Sequence, residues 1–453
     1  MDTHQALKER ESTDELEGVR TREALLGLAR SRPHDKSVAD LLFRDYEKSK
    51  EHDENYQLAY FQLKWLHEQE KWKYLNKISD LYLHAGRYSI AFMSLILSLR
   101  ANPDQAPLFE LAESIKESAK PKIRSRLKED RCSISIVMRT YERGRELRES
   151  IRSVLNQSFK DFELIVINNG GCDELKGVVD SFGSARIKYH KLDRKRELGG
   201  ALNEGILRSE GKYVAYLDDD DVYYPNHLET VMRFVEKHPN TDFVYSNAWW
   251  CYGAVEGERF LEKSRAVLDW RPKKFDRDLL FYINYISTLN ALHRRDCLRT
   301  TGLFNEDLAV FEDWDLWMRL ACNYTFFQLN ELTGEYRIKR NNTTQVDQLN
   351  MAFLGNVMGP YYEFDSANAV FVMNYLRRGQ RKKAQELYES MVSNYSHCTL
   401  KAKKNLFYLS KHFPYWRSKR LFGRLAVDYL KAKVKHYAAR GWRRNTGDNT
   451  TAI

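Results

Sequence analysis

Four consecutive aspartates, Asp218-Asp219-Asp220-Asp221, follow directly on the apolar run Tyr213-Val214-Ala215-Tyr216-Leu217. The apolar run predicts a strand buried on both faces, the kind found in a parallel sheet. Four adjacent carboxylates repel each other, so the turn after that strand needs a cation. A hard divalent ion such as Mn²⁺ or Mg²⁺ takes oxygen ligands and sits between one or two carboxylates and substrate phosphates. The competing reading is an acidic N-cap for a following helix.

The rest of the middle region fits the same pattern. Ser133-Ile-Ser-Ile-Val-Met138 predicts a buried strand, and Arg139-Thr-Tyr-Glu-Arg-Gly144 a polar turn. Leu147–Leu155 then predicts a helix, and Phe162-Glu-Leu-Ile-Val-Ile167 a second strand running into Asn168-Asn-Gly-Gly171. Strand, turn, helix, strand, with polar residues at the strand carboxyl ends, is how open α/β sheets bind nucleotides. A second acidic group is Glu312-Asp-Trp-Asp-Leu-Trp-Met-Arg-Leu320, where Leu316, Trp317 and Leu320 predict an amphipathic helix. Its acids are either simple caps or include a general base.

Around this region the chain reads as helix. The 453 residues suggest two to four domains at roughly 100–200 residues each. The expected division is a helical region over 1–128, an α/β domain over 129–345 and a helical region over 346–453. Tyr82, Gly86, Tyr88, Ala91 and Pro103 have the spacing of a tetratricopeptide repeat, with a weaker echo at Gly379 and Ala384. Ordinary helical hairpins flanking a catalytic domain would read the same way.

Charge is concentrated in one place. The chain carries a net +10, and the segment 411–444 holds eleven Lys or Arg against one acid, Asp428. Leu421, Leu425, Tyr429, Leu430, Val434 and Tyr437 give this tail an apolar face, flanked by Trp416 and Trp442. A basic amphipathic helix suits an anionic membrane surface, or equally a helix packed on its own domain with a solvated basic face. No nucleic-acid signature accompanies it, so no nucleic acid is expected. No run of about 18 apolar residues exists, the charged N-terminus lacks a secretory core, and six scattered cysteines form no C-x-x-C pair. The expected location is the cytoplasm, peripheral to the inner face of the cytoplasmic membrane if the tail binds there.

Taken together, the stretch from Ile134 to Asn342 resembles the inverting family 2 glycosyltransferases of the GT-A fold, a Rossmann-like nucleotide-binding α/β domain. The resemblance is carried by the first strand with Thr140-Tyr141, by Ser150-Ile-Arg-Ser-Val-Leu-Asn-Gln-Ser-Phe159 as first helix, by Leu217-Asp-Asp-Asp-Asp221 as the DxD motif, and by Glu312-Asp313 as the ED motif. It implies that Asp220 binds the Mn²⁺ or Mg²⁺ bridging a donor diphosphate, and that Asp218 and Asp219 contact the ribose. Asp313 is then the base that deprotonates the acceptor hydroxyl. Thr140, Tyr141, Asn169 and Asn203 fall to the donor pocket, and His293-Arg294 to the strand end before the base.

This sequence departs from the family at several points. Asn168 and Asn169 stand where aspartates are common. An Asn still pairs with uracil through its amide oxygen, so a UDP-sugar is the expected donor. Arg139 replaces a common Pro, and no His follows in Tyr336–Thr344, which leaves Arg337, Lys339 or Arg340 to meet the diphosphate. The acceptor is expected to be a glycan or lipid-linked saccharide, met in part by Ser246–Phe275. The alternatives are a transferase-fold scaffold without turnover, working through its helical flanks, and a nucleotidyltransferase. The second would show a Gly-rich phosphate loop on the first turn, and Arg139–Gly144 is not one.

Overall fold

The computed structural model describes residues 22–48, 53–68, 71–118, 127–256, 259–267, 272, 274–280, 284–339, 353–354 and 366–393. The basic segment 411–444 and Arg340 lie outside the described residues.

The centre is a mixed sheet flanked by helices. Its first four strands are β1 (Cys132–Thr140), β2 (Phe162–Asn168), β3 (Ile187–Lys191) and β4 (Gly211–Tyr216). They are followed by β5 (Val222–Tyr223), β6 (Phe243–Glu256), β7 (Arg259–Ala266), β8 (Ala291–Arg294) and β9 (Phe326–Lys339). The order is β3-β2-β1-β4-β8-β6-β9-β5, with β7 paired to β6. β3, β2, β1 and β4 are mutually parallel, and β8 runs antiparallel to both β4 and β6. The chain leaves β1 toward β2 on one side and returns to β4 on the other. The carboxyl ends of β1 and β4 therefore flank a topological switch point, where open α/β sheets hold ligands.

The strand side chains alternate in contact as their period of two demands. Ile134, Ile136 and Met138 pack with Leu147, Ile151 and Val154 of α7 (Gly144–Leu155). Val137 faces the other way, against Leu202 and Ile206 of α9 (Leu198–Arg208). That helix approaches β1 so closely that a Cβ on Gly205 would lie 2.3 Å from Val137 Cγ1. Helix α8 (Glu174–Asp180) packs beside α7, and α10 (His227–Lys237) lies against β6 and β9.

Six helices precede the sheet: α1 (Arg22–Ser31), α2 (Lys36–Lys48), α3 (Glu54–His67), α4 (Lys71–His84), α5 (Tyr88–Ala101) and α6 (Ala106–Ser118). The α4–α5 turn needs the left-handed Gly86 (φ 71°), and Ser79 of α4 donates to the carbonyl of buried Ala91 (3.0 Å). Between β7 and β8 comes α11 (Arg277–Leu280), between β8 and β9 come α12 (Leu298–Thr301) and α13 (Glu312–Ala321), and after β9 come α14 (Ser366–Arg377) and α15 (Arg381–Ser393).

The two helical regions meet. Val370 and Phe371 of α14 share a core with Leu95, Ile96 and Leu99 of α5 and Phe109, Ala112 and Ile115 of α6. The helices and the sheet also share a core, in which Trp65, Leu75, Ile78 and Tyr82 pack with Leu202, Tyr216, Trp314 and Phe353.

Candidate active site

The aspartate run emerges at the switch point. Strand β4 ends with Tyr216 and Leu217 buried, and the Leu217 amide still donates to Val137 of β1 (3.1 Å). The next residues turn, with the Asp221 amide bonded to the Asp218 carbonyl (3.2 Å). Because β1 and β4 are in parallel register, the turn lies beside Arg139 and Thr140.

Each aspartate has a different partner. Arg139 Nε donates to Asp218 Oδ1 (2.8 Å) and its Nη2 to Oδ2 (3.3 Å). Thr140 Oγ1 donates to Asp219 Oδ2 (2.7 Å). Arg143 Nη1 reaches both Asp219 Oδ1 (3.1 Å) and Asp220 Oδ2 (2.8 Å). Lys339, the last residue of β9, donates to the same Asp220 oxygen (3.1 Å) and to Glu146 Oε1 (3.1 Å). Asp221 is buried and accepts the Arg337 amide (2.9 Å). Burial, reinforced by Asp220, raises the Asp219 carboxyl to about 7 against the pull of Arg143 and Thr140. Burial also raises Asp221, with Asp220 and Asp218 adding to it.

The second acidic pair joins this turn through one side chain. Arg139 Nη1 donates to Glu312 Oε1 (3.0 Å), so one guanidinium bridges Asp218 and Glu312. Helix α13 begins after Phe311, which sits in the left-handed region (φ 63°). A bulky residue there is strained, and such strain concentrates at functional sites. Asp313 accepts from Asn284 Nδ2 on both oxygens (3.2 and 3.1 Å), from Thr288 Oγ1 (2.9 Å) and from the Trp314 amide (2.6 Å). Burial raises its pKa, and these donors work against the rise. Burial also lifts Glu312 to about 7, where Arg139 lowers it and Asp313 raises it.

The amide side chains expected at the donor pocket act on the chain itself. Asn169 forms a two-point clasp with Arg196, donating to its carbonyl and accepting its amide, both at 2.9 Å. Asn203 donates to the Phe304 carbonyl (2.9 Å) and Glu306 (2.8 Å) and accepts the Phe304 amide (2.9 Å). It thus pins to α9 the loop that leads into Phe311 and Asp313. Tyr141 is partly exposed beneath Lys195 Nζ, 4.1 Å from its ring centre. His293 is fully buried on Tyr216 Oη (2.7 Å), and burial lowers it to about 4, so it is a neutral core histidine. Arg337 is held in a bidentate pair with Glu149 (2.7 and 2.9 Å).

Sequence reasoning missed Arg143, Glu146, Asn284 and Thr288 as site residues. Arg143 lies in a recognised polar turn, but nothing local ties it to acids 76 positions away. Asn284 and Thr288 sit in a loop with no motif of its own.

A sheet with this switch point, carrying two acidic groups joined across it by one arginine, defines a nucleotide-binding α/β domain with paired carboxylates at its mouth. Residues 135–297 match the model of glycosyl transferase family 2. An uncharacterised glycosyltransferase of Rickettsia prowazekii is 29% identical over 219 residues, 47% of this chain and 65% of the relative. The chain therefore spans just under two thirds of that relative. A glucosyltransferase of Escherichia coli, named for transfer from UDP-Glc to α-D-GlcNAc-diphosphoundecaprenol, is 25% identical over 55% of this chain and 95% of its own length. Among solved structures, S. aureus TarS 1–349 aligns over 71% of this chain and 94% of its own, at 16% identity and a TM-score of 0.39.

Proposed function

We propose that this chain transfers a sugar from a nucleotide-sugar, UDP-linked, to a hydroxyl of a saccharide or lipid-linked glycan, with inversion at the anomeric carbon. The observation that carries this reading is the Arg139 bridge, which couples the aspartate turn to the Glu312-Asp313 pair. Donor handling and proton removal need two carboxylate groups at fixed separation, and one half-buried guanidinium fixes them.

The residues fit a divalent ion. Asp219 Oδ1 and Asp220 Oδ2 both lie within hydrogen-bond reach of a single cationic nitrogen, so these two oxygens already converge on one positive centre. Asp220 would hold Mn²⁺ or Mg²⁺, with Asp218 and Asp219 toward the ribose. Such an ion supplies Lewis-acid neutralisation of the departing diphosphate.

The protein's own groups do the rest. Asn284, Thr288 and the Trp314 amide hold the Asp313 carboxylate in one orientation. Asp313 takes the proton of the acceptor hydroxyl as its oxygen attacks the anomeric carbon from the face opposite the diphosphate. The C–O bond forms as the bond to the diphosphate breaks, and no enzyme-bound sugar intermediate is needed. Thr140 and Asn169 act at the donor pocket by holding Asp219 and the Arg196 segment that frame it, with Tyr141 beside them. Asn203 fixes the loop ahead of the base.

The name of the E. coli relative specifies a lipid-diphosphate-linked acceptor. A similar acceptor here agrees with a basic tail, 411–444, at an anionic membrane surface, and with a cytoplasmic enzyme at that face. Among the described residues no helix is long and apolar enough to cross a membrane. The three-part division at about 128 and 345 belongs to the same reading.

The test is Asp313→Asn. It should bind UDP and Mn²⁺ like the parent chain but lose about 10²–10⁴-fold in turnover, the usual worth of one general base. Retention of more than about a tenth of the activity would show that Asp313 is not the base.

A further inference from the structure

We propose that Arg143 and Lys339 form an exchangeable counterion for the aspartate turn. They neutralise Asp219 and Asp220 until a divalent ion arrives, then turn to the diphosphate that comes with it. This rests on the metal-dependent reading above and adds a coupling between ion and nucleotide.

The geometry singles out these two cations. Asp220 Oδ2 is shared between Arg143 Nη1 (2.8 Å) and Lys339 Nζ (3.1 Å). Both cations therefore stand on the oxygen best placed to bind an ion. Neither is held there by a bidentate pair. Arg143 lies in the loop ahead of α7, with its side chain 33% exposed. Lys339 is at the end of β9 and keeps a second anchor, Glu146. Beside them is a small recess, with room for about one water, lined by Glu146, Asp220, Val255, Phe260 and Arg337. By contrast, Arg139 is tied down by Asp218 and Glu312, and Arg337 by Glu149 and Glu335.

The electrostatics gives the order of events. A divalent ion on Asp220 brings two positive charges to within a few Å of both cations, which repel it. Binding the ion alone must therefore displace protein charge from Asp220 without a new anionic partner to compensate that loss. With a nucleoside diphosphate present, the displaced guanidinium and ammonium gain charge-assisted bonds to phosphate oxygens. Ion and nucleotide then promote each other's binding, and linkage makes the effect reciprocal.

The test is Mn²⁺ binding to the full chain by electron paramagnetic resonance, with and without UDP. In the parent chain UDP should tighten Mn²⁺ binding roughly tenfold or more, a normal coupling between two sites. Arg143→Gln and Lys339→Gln should each bind Mn²⁺ alone roughly tenfold tighter, the effect of removing one screened charge beside the ion. Both should also lose most of the UDP enhancement. Arg143→Lys, which keeps the charge, should behave like the parent. If the Gln variants bind Mn²⁺ alone no tighter, or keep the full enhancement, the exchange is refuted while the metal site stands. If the parent binds no Mn²⁺ even with UDP, the metal-dependent reading fails and the exchange falls with it. Should Arg143→Gln not fold, Lys339→Gln decides the matter, because it probes the same Asp220 oxygen.

Discussion

Glu312 is held in the fold at a cost in stability, and replacing it with glutamine should make the protein more stable in alkaline solution. Burial lifts its carboxyl from an ordinary 4.5 to about 7, with Asp313 adding to the rise and Arg139 only partly offsetting it. The folded state therefore holds this proton more tightly than the unfolded chain does. Where the native state binds more protons, stability falls as pH rises. The contribution is fully present below about pH 4.5, declines between 4.5 and 7, and is lost above that. At about 1.4 kcal/mol per pH unit, this amounts to about 3 kcal/mol. Glutamine mimics the protonated form and keeps an oxygen for Arg139 Nη1. Urea denaturation of the parent and Glu312→Gln should give equal stabilities near pH 4.5. At pH 8.5 the variant should lead by up to about 3 kcal/mol. A variant that is less stable at pH 8.5 would mean that the Arg139 ion pair outweighs the burial of the charge, and would refute the reasoning. Gains of this kind are usually found where function demands an unfavourable group.

Other outcomes follow from the same geometry. Asp220→Ala removes the carboxylate shared by Arg143 and Lys339 and should abolish the Mn²⁺-dependent part of UDP binding, read by thermal shift. Gly205→Ala forces a methyl to within 2.3 Å of Val137 Cγ1 and should cost about 1–3 kcal/mol in urea denaturation, as overpacked cores do. Arg87 of the helical region donates to the Asp307 carbonyl (2.7 Å) and to Glu197 (2.8 Å), holding the loop that leads to Asp313. Arg87→Ala should lower kcat severalfold with little change in donor KM. Removing the chain after Lys411 should release it from anionic vesicles, measured by sedimentation, without loss of UDP binding.

Much of the centre was legible in the sequence because its signals are local. Ile134, Ile136 and Met138 alternate with period two, and Leu147, Ile151 and Val154 recur with helical spacing, so β1 and α7 could be read from neighbours in the chain. The Asp218–Asp221 run and Glu312-Asp313 stood out because clustered acids after apolar runs are conspicuous. Neither their proximity nor its agent was legible. Arg139 joins residues 79 and 173 positions away: the register of β1 with β4 brings Asp218 within 3 Å, and the placement of α13 brings Glu312. The amides show the same gap. The family resemblance places Asn169 and Asn203 at the donor pocket, while the structure shows their hydrogen bonds holding Arg196 and Phe304.

The sequence by itself determined β1, β2, β4, α7, α13 and the acids, since each depends on side-chain periodicity and composition over a dozen residues. Only the tertiary structure decided which cations neutralise those acids. Arg143 and Lys339 lie 196 positions apart and meet at one oxygen of Asp220 because β9 ends beside the turn after β1. It also decided that α5, α6 and α14 share one core. Val370 and Phe371 complete a core begun by Leu95 and Phe109; α5 is apolar nearly all round, which signals that it is covered but not by which helix. Long-range packing and charge pairing depend on distances in space, and a one-dimensional pattern carries no record of them.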